Sequence, residues 1–140
     1  MKIAVVYWSS TGNTEAMAQA VVEGAKHAGA EAELFTAAEF GGAKMDEFDA
    51  VAFGCPAMGA EELEDGEFAP MFETCESKLS GKKIALFGSY GWGDGEWMRT
   101  WEEDCKNSGL NLVCQSVTCC EAPDDDALEA CRKLGAELAK

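Results

Sequence analysis

Short polar side chains are concentrated in one stretch near the start of the chain, WSSTGNTEAM (8–17). Gly12 can turn backbone N–H groups toward a common point, and the helix that follows adds its own N–H donors and the positive end of its dipole. This arrangement is suited to a phosphate group, although 9–14 contains no Lys or Arg. An ordinary capped turn is the alternative. The candidate phosphate ligands are Ser9, Ser10, Thr11, Gly12, Asn13 and Thr14.

A second unusual stretch, GSYGWGDG (88–95), alternates glycine with aromatic residues. Gly91, Gly93 and Gly95 space out Tyr90 and Trp92 and leave these rings on a flexible loop tip. Exposed aromatic rings are usually avoided unless something covers them, and a flat conjugated ligand would stack there. The alternative is that Trp92 folds back into the core.

The elements that position these loops follow from hydrophobic periodicity. Apolar runs alternate with segments of helical spacing, which indicates an α/β protein with a parallel sheet and helices on both faces. Trp97 and Trp101 have helical spacing and are predicted core residues. The predicted strands are 2–8, 31–36 (nearer an edge), 49–54, 82–88 and 111–119. One helix is predicted after Gly12, one over 67–79, one over 95–108 and one after Pro123, and 37–48 gives a weak helix signal.

Ligands of such sheets bind at the carboxyl ends of the strands. Three loops at that edge have distinctive content: 9–14, 55–62 (CPAMGAEE) and 88–95. We therefore expect the candidate site to be built from these loops.

Composition limits the possible partners. The 140 residues, 47% hydrophobic and 26% charged, are expected to form one domain over 1–140. The net charge of −15 disfavours nucleic acid and anionic membrane surfaces and favours a basic protein or a cation, although acidity also simply promotes solubility. No apolar run of about 18 residues and no signal peptide is recognisable, so we expect a cytoplasmic protein.

Seven cysteines are present, an odd number without a CxxC pair. This favours reduced thiols, several of them buried, over a disulfide framework or a zinc site. The adjacent Cys119 and Cys120 could be redox-active, or two partly buried thiols at a strand end. The single His27 is expected on the surface.

Three motifs together, YWSSTGNTEAMA, GCPAMGAEELED and GKKIALFGSYGWGDGEWM, resemble the flavodoxins of the short-chain, clostridial type over essentially the whole chain. The resemblance implies a doubly wound three-layer α/β/α fold with a five-stranded parallel sheet in the order 2-1-3-4-5. It also implies one non-covalent FMN and a low-potential electron carrier that is not an enzyme. Such a carrier shuttles between oxidised, semiquinone and hydroquinone states.

The same resemblance assigns the FMN contacts. The 9–14 loop would bind the phosphate. Its donors are neutral, so they add no positive charge that would favour the electron-rich flavin. Gly59 would offer its carbonyl to flavin N5–H in the semiquinone, and Glu61 would accept from N3–H. Met58 would cover the inner face and Trp92 the outer face. The remaining expected contacts are Ala57, Ala60, Ser89, Tyr90, Gly91, Gly93, Asp94 and Gly95.

Two places depart from the clostridial pattern. Ala60 replaces a polar residue, and Cys119–Cys120–Glu121 stands where relatives carry an amide side chain. Whether the Cys119–Cys120–Glu121 loop contacts FMN is therefore left undecided by the resemblance.

Basic-surfaced redox proteins are the expected partners, and the chain is expected to be monomeric. Three other functions are alternatives: an FMN enzyme such as a quinone reductase, a signalling receiver and an apo binding module. The receiver would need acids where WSS and GCP occur.

Overall fold

The computed structural model describes residues 1–58, 63–91, 93 and 95–140. Strands and helices alternate along this part of the chain, as predicted. The strands are β1 (Lys2–Tyr7), β2 (Glu31–Thr36), β3 (Ala50–Gly54), β4 (Lys83–Tyr90), β5 (Asn111–Leu112) and β6 (Val117–Cys120). The helices are α1 (Asn13–His27), α2 (Gly42–Met45), α3 (Phe68–Glu76), α4 (Glu96–Asn107) and α5 (Asp125–Leu138), with a 3₁₀ turn at Ala37–Glu39.

The strands form one parallel sheet in the order β2-β1-β3-β4, with β5 and β6 both beside β4. This is the predicted order, and β2 lies at an edge as its alternating sequence indicated. Because β1, β3 and β4 are neighbours, the loops that follow them meet at one edge of the sheet. In the part of the chain that the structure describes, no helix is both long and apolar enough to cross a membrane.

The predicted fifth strand at 111–119 is divided into two pieces. Leu112 pairs with Ile84, and Val117 resumes pairing opposite Phe87. Between the two pieces, the Ser116 hydroxyl donates a hydrogen bond to Glu102 Oε2 on α4 at 2.7 Å. A tertiary contact to a helix thus replaces part of the strand ladder, which local sequence does not reveal.

The core has one layer on each face of the sheet. One layer contains α3 and α4 with Phe53, Phe68 and Phe72. It also holds Trp97 and Trp101, which are 2% and 3% exposed, confirming that both are core residues. The other layer contains α1 and α5.

The two helices of the second layer approach closely at Gly24 and Gly135. A Cβ atom at Gly24 would overlap the Arg132 carbonyl group, and one at Gly135 would overlap the Val21 carbonyl oxygen. Glycine costs about 1 kcal/mol relative to alanine inside a helix. The close packing of α1 on α5 offsets that cost here.

Candidate functional site

The loops after β1, β3 and β4 surround a cavity of about 490 Å³ at the carboxyl edge of the sheet. This is the edge at which open parallel sheets bind their ligands. The lining residues come from all three loops and from the segment after β6: Ser10, Thr11, Asn13, Pro56, Ala57, Met58, Ser89, Tyr90, Gly91, Glu121 and Ala122.

The first loop is a compact turn centred on Gly12, which has a φ of +93° and precedes α1. The Gly12 N–H donates to Ser9 Oγ at 3.1 Å, and the Asn13 N–H donates to Thr11 Oγ1 at 3.4 Å. A Cβ atom on Gly12 would meet nothing within 4 Å. Glycine is therefore required here for its left-handed backbone conformation.

Thr14 and Ser89 connect the first and third loops. Their hydroxyl oxygens lie 3.2 Å apart, and the two residues are 1% and 4% exposed. Ser89 also lies beside the second loop, since its carbonyl accepts from the Ala57 N–H at 3.1 Å. This small polar group fixes the position of all three loops relative to one another.

Behind the first loop, the Tyr7 hydroxyl donates to Glu15 Oε2 at 2.9 Å. Burial, the hydrogen bond to Glu15 and the nearby charges of Glu15 and Glu39 raise the pKa of Tyr7 to about 12. Tyr7 thus remains a neutral donor. It holds the Glu15 carboxylate against the end of β1.

The second loop is anchored by groups on either side of residues 59–62. The Glu64 N–H donates to Cys55 Sγ at 3.4 Å. The Glu64 carboxylate accepts from the N–H groups of Gly66, Glu67 and Phe68 at 2.7, 2.7 and 2.8 Å. Burial works to raise the pKa of Glu64, but these three hydrogen bonds prevail and lower it. The charged carboxylate therefore stabilises the start of α3.

The third loop joins β4 to α4 in the sequence. The Tyr90 ring lies 5.5 Å from the Trp97 ring, and the Trp97 indole N–H donates to the Cys55 carbonyl at 3.1 Å. Gly93 and Gly95 have φ values of +82° and +90°, and Gly95 precedes the first turn of α4. Gly91 is exposed at the cavity.

Several predicted contacts lie outside the described residues: Gly59, Ala60, Glu61, Trp92 and Asp94. Sequence reasoning did not include Pro56, Glu121 or Ala122 among the cavity residues. Glu121 reaches the cavity because its N–H donates to the Tyr90 carbonyl at 2.7 Å, and it has a positive φ of 61°. Its position depends on how β6 pairs with β4, for which the sequence carries no local signal.

The expectation of two partly buried thiols at Cys119 and Cys120 is wrong for one of them. Cys119 is half-buried, with its Sγ 3.5 Å from Met17 Sδ, whereas Cys120 is exposed. Successive side chains of β6 point to opposite faces, which accounts for the difference. All seven cysteines are free thiols, and Cys55, Cys75, Cys105 and Cys131 are buried. His27 is exposed, as predicted.

The chemistry of the donor set fits a flavin phosphate. Ser10, Thr11 and Asn13 present neutral donors to the cavity, next to the N-terminus of α1. No Lys, Arg or His belongs to the described lining, which includes one carboxylate, Glu121. Within the same described residues, no cluster of three metal-ligating side chains occurs. Neutral groups of this kind, beside the start of a helix, can hold an anion without a cationic side chain.

The fold is of the doubly wound α/β class, with a ligand-sized cavity at the carboxyl edge of the sheet. Residues 5–135 match the family model described as flavodoxin. The flavodoxin of Megasphaera elsdenii is 43% identical, with 99% of this chain and 98% of that protein aligned. The flavodoxin of Clostridium beijerinckii is 40% identical, with 96% and 97% aligned.

The solution structure of two-electron reduced Megasphaera elsdenii flavodoxin superimposes with a TM-score of 0.87 at 42% identity, covering 98% of each chain. The chain therefore belongs to the flavodoxin family, as the sequence resemblance predicted. It is an FMN-binding electron-transfer protein and not an enzyme.

Proposed function

We propose that the chain is a low-potential one-electron carrier whose FMN binds in the carboxyl-edge cavity. The observation that carries this proposal is the convergence of three loops on one cavity whose described lining has neutral donors and no cationic side chain. FMN supplies the electron chemistry when bound. The protein binds it, orients it and limits the access of water to it.

In this proposal, the first loop binds the phosphate group of FMN. In the proposal, the hydroxyl groups of Ser9, Ser10, Thr11 and Thr14, the Asn13 side chain and the remaining N–H groups at the start of α1 donate to it. The hydrogen bond of Thr14 with Ser89 orients one of these hydroxyls. Since the donors are uncharged, they stabilise the phosphate without adding positive charge to the site.

The other two loops hold the ring system and the ribityl chain. Ala57 and Met58 line the cavity on one side, and Ser89, Tyr90 and Gly91 line it on another. The resemblance adds Gly59, Ala60, Glu61, Trp92, Gly93, Asp94 and Gly95 to this set. Glu121 and Ala122 belong to the proposed site because they line the same cavity.

The charge of the protein favours a low potential. A unit charge about 10 Å from the flavin contributes about 0.4 to 1.7 kcal/mol for effective dielectric constants of about 80 down to 20. About 1.4 kcal/mol corresponds to about 59 mV for one electron. Glu121 places one carboxylate at the cavity, within a chain of net charge −15. These charges disfavour adding negative charge to the cofactor.

The partners in this proposal are basic-surfaced reductases and acceptors. The negative surface attracts them over a distance set by ionic strength. We further propose that the chain acts as a monomer in the cytoplasm, as one domain over 1–140.

Purification and potentiometry test the function directly. The protein should be yellow, should release FMN on denaturation, and should take up electrons one at a time, with a semiquinone/hydroquinone potential below that of free FMN. A semiquinone/hydroquinone potential at or above that of free FMN would contradict the low-potential assignment. Sustained NAD(P)H oxidation without a partner reductase would contradict the role of carrier.

A further inference from the structure

A groove separate from the cofactor cavity runs between α3 and α4. It has a volume of about 340 Å³. Its floor is formed by the buried residues Phe72, Trp101 and Cys105. Half-buried Leu63, Ala69 and Leu110 complete its apolar part.

The rim of this groove carries three exposed carboxylates: Glu73 and Glu76 on α3 and Asp104 on α4. Among the described residues, none of the three forms an ion pair, and the groove lining contains no Lys, Arg or His. Burial raises the pKa of the Cys105 thiol to about 12, with further contributions from Glu76, Asp104 and Glu102. The carboxylates of the two helices thus act on one point of the groove floor.

Trp101, on the floor of the groove, carries a buried donor without a partner in the described part of the chain. Its indole N–H is buried and has no hydrogen-bond acceptor among the described residues. By contrast, the Trp8 indole donates to Glu67 Oε1 at 3.0 Å and the Trp97 indole to the Cys55 carbonyl at 3.1 Å. An unpaired buried donor costs about 1–3 kcal/mol. Trp101 lines the groove while its indole nitrogen is itself closed to solvent, so its N–H signal reports on the groove floor.

The groove is connected to the cofactor site by the chain itself. Leu63 lies on the same β3–α3 connection as Ala57 and Met58, which line the cofactor cavity.

We propose that the α3–α4 groove receives a Lys or Arg side chain of the basic redox partner. The inference rests on the proposed function. The aliphatic stem of the side chain packs on Phe72 and Leu110, as long cationic side chains do on apolar surfaces. Its charged end pairs with Glu73, Glu76 and Asp104, and its entry changes the surroundings of the buried Trp101 ring on the groove floor. The groove thereby fixes where an electrostatically attracted partner docks.

The kinetic test uses cytochrome c, a basic haem protein, as the oxidant of the reduced, FMN-loaded protein. The triple variant Glu73→Gln, Glu76→Gln, Asp104→Asn is compared with a control that removes three exposed carboxylates elsewhere: Glu31→Gln, Glu33→Gln, Glu47→Gln. The groove variant should lower the second-order rate constant about tenfold at low ionic strength, and the control by less than about threefold. Equal losses would show that total charge alone matters and would overturn the proposal.

A binding test requires no electron transfer. Reduced cytochrome c is added to the ¹⁵N-labelled oxidised holoprotein, and the Trp101 indole signal is assigned by its loss in Trp101→Phe. This signal should shift to saturation, and the shift should be lost in the groove variant. An unchanged Trp101 signal at saturation overturns the docking site. Failure of the proposed function is distinguishable, because it would appear earlier as a protein without FMN.

Discussion

The side-chain hydroxyl groups of Thr14 and Ser89 lie 3.2 Å apart in the interior, although 75 positions separate the two residues in the sequence. Thr14 belongs to the first turn of α1, and Ser89 to the end of β4. This hydrogen bond joins the proposed phosphate loop to the loop on the opposite side of the cofactor cavity. Its contribution can be measured in the apoprotein, without FMN.

Removing one partner of this pair should destabilise the protein more than removing both. Thr14→Val leaves the Ser89 hydroxyl buried without a partner, at a cost of about 1–3 kcal/mol in the free energy of unfolding. Ser89→Ala leaves the Thr14 hydroxyl buried without a partner and should destabilise the protein for the same reason. The double variant should lose less than the sum of the two, as measured by urea unfolding of the apoproteins. Thr14→Ser, which keeps the hydroxyl, is the control, and strictly additive losses would contradict the account.

The raised pKa of Tyr7 makes stability depend on pH in the alkaline range. The folded protein holds this proton up to about pH 12, whereas the unfolded chain releases it near the ordinary value of 10. The unfolded state therefore binds fewer protons between these values, and the free energy of unfolding falls as pH rises from about 10 to 12. Tyr7→Phe should remove this part of the dependence. Ultraviolet titration of tyrosinate should show a transition at high pH that is missing in the variant. If the transition persisted in Tyr7→Phe, it would belong to Tyr90.

Glu64 should contribute stability that is lost in acid. Its pKa is lowered in the folded protein by hydrogen bonds from the start of α3, so its contribution is present above the unfolded pKa and disappears as pH falls through the folded one. Glu64→Gln should reduce the free energy of unfolding at pH 7 by about 1 kcal/mol, the size of a helix cap. Asp65→Asn removes an adjacent exposed charge and should have little effect. Equal effects of the two variants would exclude a specific role for Glu64.

The thiols should differ strongly in reactivity. Burial raises the pKa of Cys55, Cys105 and Cys131 to about 12, whereas Cys120 is exposed. Because the thiolate is the reactive form, a disulfide reagent at pH 8 should label Cys120 first. Cys120→Ser should abolish this fast phase, and denaturation should make all seven thiols reactive. A fast phase that survives in Cys120→Ser would show that another thiol is accessible.

The sheet and the location of the site were predictable because they depend on strong local signals. Buried strands such as β3 consist of continuous apolar residues, and all five residues of β3 are buried. The sequence also marked the first loop through its hydroxyl groups and Gly12. The structure adds the reason for this glycine, which is a φ of +93° rather than a lack of space.

What the sequence did not reveal depends on tertiary contacts. At the break between β5 and β6, Ser116 is hydrogen-bonded to Glu102 on α4, a contact between residues of different elements. Glu121 enters the cavity because β6 lies beside β4. The roles expected for Glu61 and Trp92 remain predictions from the family resemblance, since both lie outside the described residues.

The most direct test of the central claim is a titration of apoprotein with FMN and with riboflavin, which lacks the phosphate. The wild type should bind FMN much more tightly. Gly12→Ala lets the loop relax from its positive φ, so FMN should bind more weakly by about 1–2 kcal/mol, a factor of about 5–30, with riboflavin unchanged. Gly29→Ala is the matched control, because Gly29 also has a positive φ, +96°, and open space around it, but follows the far end of α1. It should leave both affinities unchanged. Equal affinities of the wild type for FMN and riboflavin would contradict the assignment of the phosphate to the first loop.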